Sequence, residues 1–107
     1  GLLAPEKVET IKGSAEVRKV FHITKVGAIA GCFVVSGSIS RNDRARVYRG
    51  VDVVWDGKFA SLKRVKDDAR EVQTGFECGI GLDGYDDMKE GDVIEAYTVE
   101  EVARKLE

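Results

Sequence analysis

Residues 14–24 read SAEVRKVFHIT, and this stretch decides the fold class. Apolar and polar side chains alternate along it with a period of two, which is typical of a β-strand with one buried face. Strict alternation places one set of side chains on a common face: Ala15, Val17, Lys19, Phe21 and Ile23. The stretch therefore predicts a strand that begins near residue 14.

Further short strands are predicted along the chain. Residues 28–35 form a second apolar run, in which Gly31 indicates a β-bulge or a close backbone approach. A hairpin is expected around Gly50, and Asp56-Gly57 predicts another turn. Six or more short strands with glycine-rich turns and no long helix indicate an all-β fold, either a barrel or a sandwich. A small closed barrel is favoured because closure removes edges, and no strand carries an edge-protecting proline.

A chain of 107 residues has room for one domain. We interpret residues 1–13 as the end of an interdomain linker, with room for a short helix after Pro5. The barrel is expected to occupy residues 14–102, and residues 103–107 are a charged C-terminal tail.

Charge is spread unevenly over this chain, whose formal net charge is −2. Residues 41–70 carry nine Lys or Arg against five Asp, so the segment is basic and the remainder is acidic. A basic patch on an acidic body suits a limited contact with a phosphate backbone, and a merely solvated charged face is the alternative. No apolar stretch approaches membrane-spanning length, and no signal peptide is present at residues 1–6. Cys32 and Cys78 are then expected to be free thiols of a cytosolic protein.

The sequence is poor in catalytic groups. His22 is the one histidine, which makes a histidine-based metal site implausible. The glycines do not form a phosphate-binding loop followed by a helix. We therefore predict a binding domain without catalytic or metal-ligating residues, and a thiol enzyme built on Cys78 is the weaker alternative.

Two features remain as candidates for binding. Lys63, Arg64 and Lys66 lie together at a predicted strand end, where they can reach phosphate oxygens, although strand ends are commonly charged. Residues 76–79, Phe-Glu-Cys-Gly, offer a shallow surface that lets a ligand approach the backbone. Simple core filling is the alternative role for Cys78.

Six blocks of sequence carry a resemblance to a known family. They are AEVRKVF (15–21), KVGAIAGC (25–32), SLKR (61–64), KDD (66–68), GFECG (75–79) and KEGDVIEAY (89–97). In this order and spacing, the blocks resemble the last domain of bacterial translation initiation factor two. The likeness covers nearly the whole chain from residue 13 to residue 102.

The resemblance implies a six-stranded β-barrel similar to the second domain of elongation factor Tu. It also implies that the domain binds formylmethionyl initiator tRNA during initiation on the ribosome. The GTPase motifs, with their GTP and magnesium, would lie in another domain of the full-length factor, so no cofactor is expected here. The implied protein is a cytoplasmic monomer with no membrane contact. A structural or protein-docking barrel within a multidomain translation factor is the alternative function.

The resemblance also implies which residues contact the tRNA. These are Cys32, Lys63, Arg64, Lys66, Phe76, Glu77, Cys78 and Gly79. Cys78 and Gly79 would shape the site for the amino acid, and the three cations would hold phosphates. At Phe76 relatives commonly have tyrosine, and at Val65 they often have an aromatic residue.

Overall fold

The computed structural model describes residues 6–23, 27–64 and 67–102. Within these ranges the chain forms eight β-strands and no helix. The strands are β1 (Glu6–Ile23), β2 (Gly27–Ser40), β3 (Arg44–Arg49), β4 (Asp52–Arg64), β5 (Asp67–Asp68), β6 (Glu71–Gln73), β7 (Glu77–Leu82) and β8 (Val93–Val102). Accordingly, the described part of the chain has no helix long and apolar enough to cross a membrane.

Six of the strands close into an antiparallel barrel. They pair in the order β1-β8-β3-β4-β7-β2, and β2 pairs again with β1 to complete the ring. The two shortest strands lie outside the ring, β5 against β4 and β6 against the end of β2. The predicted closed six-stranded barrel is confirmed.

The strands that begin and end the barrel are longer than the sequence predicted. β1 begins at Glu6, and residues 6–11 pair with β8 as far as Val102. The helix expected after Pro5 is therefore wrong over residues 6–9, because their backbone groups are paired with β8. At the other end of the barrel, β8 continues to Val102. Residues 1–5 and 103–107 lie outside the described residues.

The core is built from the inward-facing residues of the barrel strands. Over residues 27–34 of β2 the burial alternates strictly, with Ala28, Ala30, Cys32 and Val34 buried. The other strands contribute Ala15, Val17, Ala45, Val47, Phe59, Leu62, Ile80, Leu82, Ile94 and Ala96. Each fully buried Val, Leu or Ile contributes about 1.5–3 kcal/mol, so this alternation is what stabilises closure.

A β-bulge interrupts β1 at Arg18. Val17 pairs with Cys32, and the next pair joins Lys19 to Gly31, which leaves Arg18 as an extra residue on β1. A Cβ built on Gly31 would lie 3.4 Å from the Lys19 carbonyl oxygen. The irregularity predicted at Gly31 therefore lies on the neighbouring strand, as a bulge at Arg18 opposite it, and Gly31 itself has room for a Cβ at ordinary van der Waals distance.

The bulge changes which side chains of β1 face the core. Before it, Ala15 and Val17 are buried; after it, Val20 packs against the core while Lys19 and Phe21 are exposed. The expectation that Lys19 and Phe21 share a face with Ala15 and Val17 is therefore wrong. Strict alternation fails here because one inserted residue shifts the phase of all that follow.

The dipeptide Asp56-Gly57 lies inside β4 and makes no turn. Gly57 pairs with Ala45 of β3, and the ring of Trp55 occupies the space that a side chain on Gly57 would need. The hairpin turn is formed instead at Gly50, whose φ is 68°. The Asp-Gly turn prediction is wrong because cross-strand pairing overrides local turn preference.

An ion pair between half-exposed Arg49 and buried Asp92 joins the end of β3 to the residue that directly precedes β8. Asp92 is 2% exposed, and its carboxylate accepts hydrogen bonds from Arg49 Nε at 3.0 Å and Nη2 at 2.9 Å. The backbone N–H of Lys89 donates a third, at 2.9 Å. Burial opposes ionisation of Asp92, but the Arg49 and Lys89 hydrogen bonds outweigh it and hold the pKa of the carboxyl below its ordinary value.

We expect Asp92→Asn to lower the free energy of unfolding by about 2–3 kcal/mol near neutral pH, because the charge-assisted bonds to Arg49 are lost. Urea unfolding measures the loss, with the exposed Asp52→Asn as control. Because the folded pKa is depressed, the stabilisation is present above about pH 4 and is lost as the pH falls through the folded pKa. A difference between wild type and Asp92→Asn that persisted undiminished in strong acid would contradict this assignment.

Candidate functional site

An open groove of about 870 Å³ crosses the outer surface of the barrel over β1, β2, β7 and β4. Its lining combines four cations, one carboxylate, three aromatic rings and three glycines. These residues are Arg18, Lys19, Phe21, Ile29, Gly31, Cys32, Phe33, Lys63, Arg64, Gly75, Phe76, Glu77, Cys78 and Gly79. A surface of this size and composition suits an anionic ligand that also carries flat or apolar groups.

One row of four residues runs across the middle of the groove. Lys19 on β1 pairs with Gly31 on β2, which pairs with Gly79 on β7, which pairs with Lys63 on β4. With about 4.8 Å between neighbouring strands, the path along the curved sheet from one lysine Cα atom to the other is about 14 Å. The groove therefore has a floor of bare backbone with a lysine at each side.

Neither floor glycine is required by the fold. A Cβ on Gly79 would meet Ile29 Cγ2 at 3.4 Å, which is ordinary van der Waals contact, and Gly31 is similar. The other nine described glycines either have a positive φ or would place a Cβ in collision with a neighbour. Among the described glycines, Gly31 and Gly79 are thus the two whose lack of a side chain serves to keep the surface above them open.

The β4 wall of the groove is a stacked cation and ring. The Arg64 guanidinium lies 4.0 Å from the centre of the Phe76 ring, and Phe76 is 43% exposed. A cation over a ring is worth about 0.5–1 kcal/mol at an exposed site. The pair forms a flat platform that carries positive charge.

The β1 wall is built by the bulge. Because Arg18 is the extra residue, both Arg18 and Lys19 are exposed beside the floor. Arg18 lies 5.4 Å from the Phe33 ring centre, and Lys19 lies 5.2 Å from that of Phe21. The bulge therefore places two successive cations next to two rings, which a regular strand would separate.

The two cysteines belong to the core beneath the floor. Cys32 and Cys78 are cross-strand partners that are 1% and 5% exposed, and both are free thiols. Burial raises the pKa of Cys32 well above its ordinary value and that of Cys78 to about 11. They border the groove, but their side chains pack inward with Ile80 and Ala30.

Seven of the eight predicted binding residues line this one groove: Cys32, Lys63, Arg64, Phe76, Glu77, Cys78 and Gly79. The eighth, Lys66, lies outside the described residues, as does Val65. Sequence reasoning missed two parts of the groove. On β1 it missed Arg18, Lys19 and Phe21, and on β2 it missed Ile29, Gly31 and Phe33. The sequence signal for the β1 wall was a pair of consecutive cations followed by two apolar residues. Such a run breaks the regular alternation of side chains along a strand.

The basic segment 41–70 does not form one patch. Arg46 donates to Glu9 at 3.0 and 3.1 Å and to Asp56 at 3.1 Å, and its guanidinium stacks on Tyr97 at 4.2 Å. Arg49 is paired with Asp92. Both arginines are therefore engaged in ion pairs within the barrel. The described cations of the segment that line the groove are Lys63 and Arg64.

Within the described ranges, no three side chains of the metal-binding types come together. His22 is exposed and does not line the groove, so it is not placed to activate either thiol there. What the groove offers is binding chemistry: positive charge, stacking surfaces and a backbone floor.

Comparison with known proteins shows the family. Residues 27–95, more than half of the chain, match the family model described as elongation factor Tu domain 2. The chain belongs to this family of barrel domains.

Individual relatives show a more specific similarity than the family model does. The chain is 56% identical over its full length to translation initiation factor IF-2 of Bdellovibrio bacteriovorus. It is 60% identical over 97% of its length to the IF-2 of Thermoanaerobacter sp., and 53% identical over its full length to that of Leptospira interrogans. The chain spans only 11–15% of the length of these relatives. The resemblance to initiation factor two is confirmed, while the position of the segment as the last domain stays a prediction.

Both cysteines should react slowly with iodoacetamide at about pH 8, because burial and their raised pKa values leave little accessible thiolate. Mass spectrometry of the native domain should show little modification after a time that fully alkylates the protein in urea. Rapid native alkylation of Cys78 would place its thiol at the groove surface and would revive the thiol-enzyme alternative.

Proposed function

We propose that this barrel binds the formylmethionyl group and the 3′ acceptor end of initiator tRNA. The observation that carries the proposal is the Gly31–Gly79 floor, which the fold does not require and which lies between cationic walls. Similarity to proteins named translation initiation factor IF-2 supports the same partner.

The β4 wall suits the nucleotides of a single-stranded end. Lys63 and Arg64 are exposed and can contact phosphate oxygens without reading base sequence. The Arg64–Phe76 pair can also stack on a base, because every base has a flat face. Few phosphates need to be neutralised, so an acidic domain can bind RNA in this way.

The floor suits the aminoacyl group. Formylation converts the α-ammonium of methionine into a neutral amide, which loses less hydration when it enters a surface lined by Ile29, Phe21 and strand backbone. Cys32 and Cys78 lie beneath the floor, where their buried thiols form part of the core under the paired strands β2 and β7. The substitution Cys78→Arg would therefore disturb the packing of the core, and a loss of binding would not by itself locate the tRNA site.

The name shared by the relatives, translation initiation factor IF-2, supports a wider role in initiation. We infer that the domain acts as a monomeric, terminal part of a longer cytoplasmic factor that works on the ribosome. GTP and magnesium would be bound by another domain of that factor. In this reading the described groove supplies recognition and no catalysis.

A protein-docking barrel is the alternative function. Its basis is the tip of the β3–β4 hairpin, where Val51 is 95% and Val53 is 52% exposed. Isolated exposed valines are ordinary on protein surfaces, so this basis is weaker than the groove. Direct titration with formylated initiator tRNA distinguishes the two functions, since a docking barrel would show no saturable binding.

We expect Gly79→Val to weaken binding of formylmethionyl initiator tRNA by about tenfold or more, because the new methyl groups occupy the floor. Stability should be close to that of the wild type, since the Cβ fits and valine favours a strand. Fluorescence titration measures affinity and urea unfolding measures stability. Thr98→Val on β8 is the control; equal affinities of all three proteins would exclude the floor from the site.

We expect Arg64→Ala to weaken the same complex and to reduce the slope of log affinity against log salt by about 0.7, the value for one phosphate contact to a single strand. Titration at several salt concentrations gives the slope. Arg41→Ala, an exposed arginine that does not line the groove, should leave it unchanged. A slope unaffected by Arg64→Ala would mean that Arg64 contacts no phosphate.

A further inference from the structure

The charges around the floor are strongly unequal. Lys19 and Lys63 flank it directly, with Arg18 and Arg64 beside them. Glu77 is the one carboxylate among the lining residues, and it pairs with Phe33 at the edge of the floor. A ligand group above Gly31 and Gly79 therefore lies in a positive field.

The cations differ in what can neutralise them. Arg18 is paired with Glu16 at 3.5 Å. Lys63 and Arg64 contact phosphates in the proposed function, so bound RNA would offset their charge. Among the described ion pairs none involves Lys19, whose ammonium lies over the Phe21 ring.

Lys19 is also held close to the floor. It is the direct cross-strand partner of Gly31, and a Cβ on Gly31 would lie 3.8 Å from Lys19 Cβ and 3.4 Å from the Phe21 ring. The bulge at Arg18 fixes Lys19 on the outer face. Its charge thus remains next to the site where the aminoacyl group would bind.

We propose that Lys19 is a specificity-determining residue, whose positive charge excludes a free α-ammonium from the floor and so favours an N-formylated amino acid. The inference rests on the proposed function and adds a repulsive element to it. Selectivity arises because a neutral amide and an ammonium differ by a full charge, and Lys19 acts only on the charged form.

The repulsion has a measurable size and pH dependence. An exposed pair of charges is worth a factor of about 2–5 in affinity. A free α-amino group titrates near pH 8, so the penalty on the unformylated ligand should fall as the pH rises, while the formylated ligand carries no such proton. The groups facing the ligand from each strand of the groove are Arg18, Lys19, Lys63, Arg64 and Glu77.

The experiment measures the ratio of the dissociation constants of unformylated and formylated methionyl initiator tRNA. Methionine joined through an amide to the terminal 3′-aminodeoxyadenosine prevents ester hydrolysis during the titration. For the wild type, the ratio should be larger at about pH 6 than at about pH 9. Lys19→Gln should lower the ratio at about pH 6 by about 2- to 5-fold, Lys19→Glu should lower it further, and Glu77→Gln should raise it.

Two controls isolate the effect. Lys58→Glu makes the same charge change at an exposed lysine of β4 that does not line the groove, and its ratio should equal that of the wild type. His22→Gln removes the chain's one imidazole and should leave the pH dependence unchanged. Urea unfolding establishes that each variant is folded.

The outcomes separate the two proposals. A ratio that is the same for wild type and Lys19→Glu, or the same at both pH values, would overturn the role of Lys19 while formylated tRNA still bound. Absence of binding to either tRNA by the folded wild type would instead overturn the proposed function.

Discussion

The arrangement depends on β2, which pairs with β1 on one side and β7 on the other. This double pairing closes the barrel and places Cys32 opposite Cys78 and Gly31 opposite Gly79. Because side chains alternate along a strand, the thiols must enter the core when the glycines face outward. The apolar interior and the open floor are therefore two faces of the same strand pair, and a change of register by one residue would destroy both.

Charge is used in two separate ways by this small acidic domain. Arginines of β3 are held by carboxylates from elsewhere in the barrel: Arg46 pairs with Glu9 of β1, and Arg49 pairs with Asp92, which directly precedes β8. In the groove, Lys19 and Arg64 instead lie over the rings of Phe21 and Phe76. A ring offers a cation a modest attraction without cancelling its charge, so these side chains remain available to an anion. Net charge alone therefore says little about whether this surface can bind RNA.

Much of the fold could be predicted from period-two patterns, because burial alternates along residues 27–34 of β2 and residues 93–96 of β8. Local rules failed where tertiary pairing prevailed: Asp56-Gly57 lies in a strand, and β1 extends back to Glu6. The β7 and β4 side of the groove was indicated by residue type at Lys63, Arg64 and residues 76–79 and by the resemblance to a known family, whereas the β1 side was indicated by neither. The run Arg18-Lys19-Val20-Phe21 shows only that regular alternation breaks, whereas the position of the extra residue depends on the pairing of Lys19 with Gly31 on β2.

We propose that the groove of this domain is sufficient to bind the aminoacyl end of initiator tRNA. The most direct test is the rate at which the formylmethionyl ester hydrolyses in the presence of this domain, since a bound ester is shielded from water. We expect saturating wild-type domain to slow the hydrolysis, and the folded Gly79→Val variant to give much less protection at the same concentration. Hydrolysis at the same rate with and without the wild-type domain would contradict the account.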